Sequence, residues 1–142
     1  MLNVGPRLRV TERSADQTYV LDASALLCLL FGEPGAEQVE ARLTRALVSA
    51  VNYHEVFAKL TDRGVEPDEA KAMLAELDID IIPVDRDQAD AGGALRPTTR
   101  ALGLSLGDRT CLALAQTRNA VAVTADQVWK KVDLGVEIEV VR

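Results

Sequence analysis

The stretch Tyr19-Val20-Leu21-Asp22-Ala23-Ser24-Ala25 decides the fold of this chain. Its first residues are aromatic or apolar and predict a short buried strand. The apolar run from Ala25 to Phe31 contains no Gly or Pro and predicts a buried helix. Asp22 therefore stands where a strand is followed by a helix, which in an open α/β sheet is the edge where ligands bind. Because the amino end of a helix favours an anion, we expect Asp22 to be ionised.

Three further acids stand in similar places. Glu55 follows the strand candidate 48–51, Asp108 opens a helix, and Asp126 ends the strand candidate 121–125. Four carboxylates at helix starts would meet at one edge of a parallel sheet. Like charges in one site raise each other's pKa unless cations neutralise them, and oxygen ligands suit magnesium or manganese. The sequence therefore predicts a hard divalent-cation site.

Each acid also has a simpler explanation as a helix cap. Asp22 and Asp126 have the residue type and position of an N-cap. Two pairs have the spacing of a capping box, namely Asn52 with Glu55 and Ser105 with Asp108. Taken singly, each acid is explained at least as well by capping as by catalysis. The joint occurrence favours a functional site, because capping does not require the four acids to converge.

Alternating strand and helix patterns predict one three-layer α/β/α domain with a mostly parallel sheet. Strands are predicted at 18–22, 47–51, 79–84, 120–124 and 136–141. An amphipathic helix is predicted from Ala36 through Leu47, and another from Asn52 to Gly64. The third strand is apolar on both parities and is expected to be covered on both faces. In the last strand Glu137 and Glu139 alternate with apolar residues, which predicts an edge position with a solvated face.

The bulk properties exclude several classes of protein. At 142 residues the chain is expected to hold one domain at 18–142, preceded by a loose leader at 1–17. The net charge of −6 argues against a protein that coats nucleic acid, but not against an enzyme that holds a phosphodiester through metals. The sequence contains no stretch suited to spanning a membrane and no signal-peptide pattern, so a cytoplasmic location is expected.

The cysteines and the single histidine do not suggest a site. Cys28 and Cys111 lie in apolar helical runs and are expected to be buried free thiols. One His and two isolated Cys do not form a zinc ligand set. His54 lacks the partners of a nucleophilic triad, and Trp129 is expected to anchor the core.

Several motifs together resemble the PIN-domain family, and most closely its VapC-type toxins of toxin–antitoxin pairs. The matching segments, in chain order, are 20–25, 33–37, 52–55, 105–109 with 111–115, and 124–126 with Trp129. The resemblance covers residue 18 to the carboxyl end, and it implies a parallel five-stranded sheet and a magnesium- or manganese-dependent endoribonuclease. It also implies an acidic quartet of metal-binding catalytic residues, with two hydroxyls near the metal. The quartet is Asp22, Glu55, Asp108 and Asp126, and the hydroxyls are those of Ser24 and Thr124.

The resemblance further implies an RNA substrate, a cognate antitoxin and a homodimer. In the implied mechanism a metal ion lowers the pKa of a water, and either Asp22 or Asp126 orients that water. The apolar stripes of the first two helices suggest a groove for an amphipathic antitoxin helix. The apolar residues of these stripes include Leu26, Leu30, Val39 and Leu43. The alternative is that they pack into the chain's own core. An antitoxin Arg is also expected to pair with the carboxylates.

Two other function classes stay open at this point. A phosphoryl-transfer domain of related topology needs a Lys after a late strand, and the sequence after Val123 does not supply it. A PIN-like fold that serves only as a binding module would not need an intact quartet of acids.

Overall fold

A computed structural model of the chain describes residues 17–142. Five strands form one parallel sheet in the order β3-β2-β1-β4-β5. They are β1 (Tyr19–Leu21), β2 (Ala46–Ser49), β3 (Ile79–Ile82), β4 (Val121–Thr124) and β5 (Ile138–Val140). The predicted parallel five-stranded sheet is confirmed. The predicted leader lies outside the described residues, apart from its last residue, Gln17.

Seven α-helices within residues 17–142 connect the strands. They are α1 (Ala23–Leu30), α2 (Ala36–Glu40), α3 (Ala50–Asp62), α4 (Pro67–Ala75), α5 (Arg86–Ala94), α6 (Arg96–Thr99) and α7 (Leu106–Arg118). Three 3-10 helices cover Leu43–Arg45, Arg100–Leu102 and Gln127–Lys131. The helices lie in two layers because parallel strands require crossover connections.

Each face of the sheet has its own core. On one face, residues of α1 to α4 such as Leu26 and Leu60 pack against Leu21 of β1. On the other face, Leu112 of α7 and Trp129 pack with Val20. Val20 and Leu21 point to opposite faces, as successive strand residues do. Both are fully buried, so β1 is the centre of a three-layer α/β/α domain, as predicted.

The second predicted helix is shorter than expected. It ends at Glu40, a 3-10 turn follows, and Leu47 belongs to β2 rather than to the helix. All four residues of β2 are buried. An interior strand that is covered on both faces is apolar at every position and shows no alternation. Leu47 of β2 therefore matched the helical spacing by coincidence.

The prediction that the third strand is covered on both faces is wrong. Within β3 no residue is fully buried, and Ile81 is 40% exposed. The reason is its place at the edge of the sheet, with β2 as its one neighbouring strand. The edge position predicted for the last strand is confirmed for β5. Its Glu139 is not simply solvated, because it accepts two hydrogen bonds from Arg42 at 2.9 Å.

The groove predicted from the first two helices does not form from the residues named for it. Leu26 and Val39 are fully buried, and Leu30 and Leu43 are half-buried against the same core. The alternative, packing into the chain's own core, is confirmed. Helical spacing alone could not separate the two, because a core stripe and a docking stripe have the same period.

The remaining structural predictions agree with the described residues. Cys28 and Cys111 are buried and unpaired, and Trp129 is fully buried. His54 is exposed. Among the helices of residues 17–142, none is long and apolar enough to cross a membrane.

Candidate active site at the carboxyl edge of the sheet

Asp22 lies where the strand order of the sheet reverses. The chain proceeds from β1 outward to β2 and β3, and then returns to place β4 on the other side of β1. In open α/β sheets ligands bind at such a switch point, beyond the carboxyl ends of the strands. Asp22 directly follows β1, and its backbone N–H donates to Val123 O of β4 at 3.0 Å. This residue is therefore fixed between the two central strands.

The Asp22 carboxylate is held by three donors. Oδ1 accepts from Ala25 N and from Ser24 Oγ, both at 2.8 Å, and Oδ2 accepts from Thr124 Oγ1 at 2.6 Å. The residue is only 2% exposed. Burial raises its pKa to about 6, the hydrogen bonds from Thr124, Ala25 and Ser24 oppose this, and the charge of Asp108 adds to it. Burial thus raises the pKa of Asp22 by more than the amino end of the helix, which the sequence analysis considered, lowers it.

The two hydroxyls join Asp22 to the end of β4. Ser24 Oγ accepts from Ala125 N at 2.9 Å, and Thr124 Oγ1 accepts from Asp126 N at 3.0 Å. The two hydroxyl oxygens lie 3.2 Å apart. Ser24 and Thr124 thus set the separation of two predicted site acids, while their part in metal binding stays a prediction.

Asp126 serves as a cap, as its position allowed. Its Oδ1 accepts from Val128 N at 3.0 Å and begins the 3-10 helix Gln127–Lys131. The residue is half-buried. Asp126 is linked to Asp22 by two hydrogen bonds of the Thr124 hydroxyl, which donates to Asp22 and accepts from Asp126 N.

Glu55 is positioned by Asn52, although not through the predicted capping box. Helix α3 begins at Ala50, and its N-cap is Ser49, which accepts from Val51 N at 3.2 Å. The predicted helix start at Asn52 is therefore wrong. The side chains of Asn52 and Glu55 meet because residues three apart share a helix face. Asn52 Nδ2 donates to Glu55 Oε1 at 2.9 Å and also to Gly107 O of α7 at 3.0 Å.

The Glu55 carboxylate lies against Gly107, in the first turn of α7. A methyl group added to Gly107 would overlap this carboxylate, with Glu55 Cδ only 2.6 Å from the added carbon. The unpaired N–H groups at the amino end of a helix favour a negative charge there. A side chain on α3 is thus brought against the residue that precedes Asp108 on α7.

Asp108 forms the predicted capping box with Ser105. Ser105 N donates to Asp108 Oδ2 at 2.9 Å, and Asp108 N donates to Ser105 Oγ at 3.1 Å. One turn further along α7, Cys111 is fully buried. Burial raises the pKa of its thiol, and the charges of Asp22, Asp108 and Glu55 raise it further. The charges of three of the four predicted acids therefore all affect the buried thiol of Cys111.

Comparison with known proteins identifies the family. A family model of the PIN domain matches residues 19–134. The chain belongs to the PIN-domain family. Proteins named VapC ribonuclease from Mycobacterium bovis and ribonuclease VapC30 from Mycobacterium tuberculosis are each 34% identical to it over 106 residues, covering 68% of this chain and 81% of the relative. The similarity places this PIN domain with the VapC proteins.

Solved structures support the same fold. A toxin–antitoxin complex from Klebsiella pneumoniae contains a chain that matches this PIN domain with a TM-score of 0.67 and 23% identity, covering 81% of this chain and 92% of that one. A DNA-bound VapBC complex from Salmonella typhimurium matches with a TM-score of 0.67 and 17% identity, covering 87% and 97%. At such identities the likeness establishes the fold.

The donor set of this PIN domain suits a hard cation, although the side chains are not gathered around one point. Within residues 17–142, no three His, Cys, Asp or Glu side chains lie close enough to hold one ion. Each acid is instead held by local donors, and like charges repel one another. In the described part of the chain, one oxygen of each of Glu55, Asp108 and Asp126 accepts no hydrogen bond. These uncommitted carboxylate oxygens are the ligand type that magnesium and manganese prefer.

Sequence analysis paired Asn52 with Glu55, but as a capping box, and it missed Gly107 as a residue of the site. Asn52 was assigned to the helix start, and Gly107 was seen only as part of a motif. The spacing of Asn52 and Glu55 was itself a sufficient signal for their contact, once the helix was known to begin at Ala50. The contact with Gly107 had no sequence signal, since the two residues are 55 positions apart.

Proposed function

We propose that this PIN domain is a VapC-type toxin endoribonuclease. It hydrolyses RNA phosphodiester bonds with one or two magnesium or manganese ions bound by the acidic quartet, that is, by Asp22, Glu55, Asp108 and Asp126. The observation that carries the proposal is the Asp22 carboxylate, which is nearly fully buried at the switch point of the sheet and lies within range of the charge of Asp108. The identity to proteins named VapC ribonucleases supports the activity.

The residues of the site have distinct parts in this proposal. A divalent ion held by these carboxylates would supply a water of lowered pKa and neutralise charge on the phosphate. Asp22 is fixed by its three donors before any ligand arrives, so little ordering is needed on binding. Ser24 and Thr124 maintain its orientation. Glu55 and Asp108 offer uncommitted oxygens from α3 and α7, and either Asp22 or Asp126 orients the attacking water.

The distribution of charge supports RNA as the substrate. Residues 96–131 contain only two acids, Asp108 and Asp126, although the whole chain carries a net charge of −6. The cations of this segment are Arg96, Arg100, Arg109, Arg118, Lys130 and Lys131. In the described structure, none of them forms a salt bridge. Lys130 and Lys131 lie in the 3-10 helix that Asp126 caps, and such cations are suited to hold the phosphates that flank a scissile bond.

We also propose a cognate antitoxin as partner and a homodimer as the toxin's assembly. Several solved structures with this fold are of toxin–antitoxin or VapBC complexes. An Arg of the antitoxin is suited to pair with the acidic quartet, because bidentate Arg–carboxylate hydrogen bonds are strong. A partner that is basic at this contact also complements the negative charge of the chain.

The activity is tested by incubating purified protein with defined RNAs in magnesium, in manganese and in EDTA. Cleavage is expected with either metal and not with EDTA. Asp22→Asn is expected to abolish it, whereas Asp133→Asn, at an exposed position outside the site, is expected to retain it. Cleavage that persists in EDTA would overturn the metal proposal. A folded protein that binds RNA without cleaving it would favour the non-catalytic binding module.

The toxin assignment has a separate test. Expression of the chain alone is expected to arrest growth, and co-expression with the neighbouring small reading frame is expected to relieve it. The two products should also co-purify. If they neither associate nor restore growth, the toxin assignment fails, while the nuclease proposal stands on the cleavage assay.

A further inference from the structure

We propose that Asn52 and Gly107 are a positioning pair that holds Glu55 in place for metal binding. The inference rests on the proposed function of the acidic quartet. Asn52 and Gly107 lie on different helices, α3 and α7, and both contact the Glu55 side chain or its support. Neither is an acid, and neither is expected to ligate a metal itself.

The orientation of the Asn52 amide is fixed by its two acceptors. Its Nδ2 faces Glu55 Oε1 and Gly107 O, and a reversed amide would place its oxygen against both of these oxygens. In the described part of the chain, Asn52 Oδ1 has no hydrogen-bond partner, although the residue is 1% exposed. Burying an unpaired polar atom is unfavourable. An apolar residue would serve a purely structural position better, so the nitrogen contacts explain the asparagine.

A glycine is required at position 107 because there is no room for a side chain, and not because of the backbone conformation. It lies in the helical first turn of α7 and is not among the glycines with a positive φ. Its distinguishing feature is that any side chain would overlap the Glu55 carboxylate. The glycine therefore permits the carboxylate to approach the amino end of α7, and the Asn52 amide holds it there.

The consequence of this arrangement is that Glu55 is ordered before a ligand binds. A free Glu side chain samples several rotamers, and fixing it during binding lowers affinity. Residues that orient a metal ligand typically change metal affinity by about 10- to 100-fold when they are mutated. The pair should therefore contribute to metal affinity only through Glu55.

The test is a double-mutant cycle with calorimetric titration of Mn²⁺ into the full chain. Asn52→Ala and Gly107→Ala are each measured alone and combined with Glu55→Gln. Each single variant is expected to weaken Mn²⁺ binding by about tenfold. In the Glu55→Gln background, the same changes are expected to have no further effect. Because binding is measured directly, the result does not depend on the cleavage assay.

Gly93→Ala is the matched control for Gly107→Ala. Gly93 also lies in a helix, but a methyl group there would meet no atom within 4 Å. This variant is expected to leave Mn²⁺ affinity unchanged. Should Asn52→Ala fail to fold, Gly107→Ala completes the cycle, since it moves Glu55 without removing the buried amide.

The failures of the two proposals are distinguishable. If both variants bind Mn²⁺ as tightly as the parent protein, or lose the same affinity without Glu55, the positioning inference is overturned. If the parent protein itself neither binds Mn²⁺ nor cleaves RNA, the proposed function fails as well.

Discussion

At the scale of single residues, burial and hydrogen bonding have opposite effects on the pKa of Asp22, and burial has the larger effect. Burial raises its pKa from an ordinary 3.8 to about 6, even though three donors favour the ionised form. The folded protein therefore takes up a proton between about pH 6 and pH 4 that the unfolded chain does not. Since the folded state binds more protons, stability rises as the pH falls through this window. The ionised carboxylate destabilises the metal-free fold above pH 6 by on the order of 2–3 kcal/mol.

The first prediction concerns Asp22→Asn in EDTA. At about pH 8 the variant should be more stable than the parent protein by roughly 1–2 kcal/mol, because the buried charge is removed while most hydrogen bonds can be kept. The difference should shrink as the pH falls toward about 4, where the parent Asp22 is neutral. Urea unfolding at both pH values measures it, with Asp133→Asn as control. A variant that is less stable than the parent at pH 8 would contradict the prediction.

The second prediction concerns the thiols. Cys28 and Cys111 are both buried and lie on opposite faces of the sheet. Two free thiols should therefore titrate with a thiol reagent in denaturant without reductant. In the native state the reaction should be much slower, because burial and three neighbouring negative charges raise the pKa of Cys111. Fewer than two thiols in denatured monomer would reveal a disulfide.

At the scale of elements, the carboxyl-terminal segment is packed on the turn between α1 and α2. Val141 N donates to Thr124 O at 2.9 Å, and Arg142 forms an ion pair with Glu33 at 2.8 Å. Gly35 in the turn has φ +101°, and a methyl group there would overlap the backbone of Val141, whose carbonyl carbon would be 3.0 Å away. The turn therefore requires a glycine for two separate reasons.

The third prediction compares Gly35→Ala with Gly32→Ala. Both positions have positive φ, but a methyl group on Gly32 would meet no atom within 4 Å. Gly32→Ala should reduce the free energy of unfolding by about 1–2 kcal/mol through backbone strain alone. Gly35→Ala should lose roughly 1–3 kcal/mol more through overlap with Val141. Urea unfolding measures both, and equal losses would show that the carboxyl-terminal segment is not packed on the turn in solution.

At the scale of the whole molecule, positive charge predominates in residues 96–131, which contain six cations and two acids. Lys130 and Lys131 end the 3-10 helix that Asp126 begins, and both are exposed. Lys59 on α3 and Lys71 on α4 are also exposed but belong to the other helical layer. Residues 55–80, which include both lysines, contain eight acids and three cations. The two pairs thus differ in location but not in charge.

The fourth prediction is that only one of these pairs contributes to RNA binding. In an Asp22→Asn background, Lys130→Glu with Lys131→Glu should weaken binding of single-stranded RNA by about tenfold or more and lower the salt slope by about one or two. Lys59→Glu with Lys71→Glu, which changes the net charge equally, should have a much smaller effect. Fluorescence anisotropy of a labelled RNA at several salt concentrations measures both. Equal weakening would indicate a response to net charge rather than a defined RNA surface.

The sequence by itself determined the layers, the parallel sheet and the edge at which the acids lie. These features follow from local information, namely the apolar runs of β1 and β4, the glycine and proline breaks, and the Ser105–Asp108 capping box. A parallel sheet brings the carboxyl ends of its strands to one edge, so the place of Asp22 beside Asp126 followed from topology alone.

Only the tertiary structure decided how the residues of the site are held. The contact of Asn52 with Gly107 joins residues 55 positions apart, and the raised pKa of Asp22 depends on the atoms that bury it. The solvent exposure of β3 and the burial of Leu26 likewise depend on which segments pack beside them. Periodicity records that a face is apolar but not what covers it, because burial is a property of the packed neighbours and not of the segment itself.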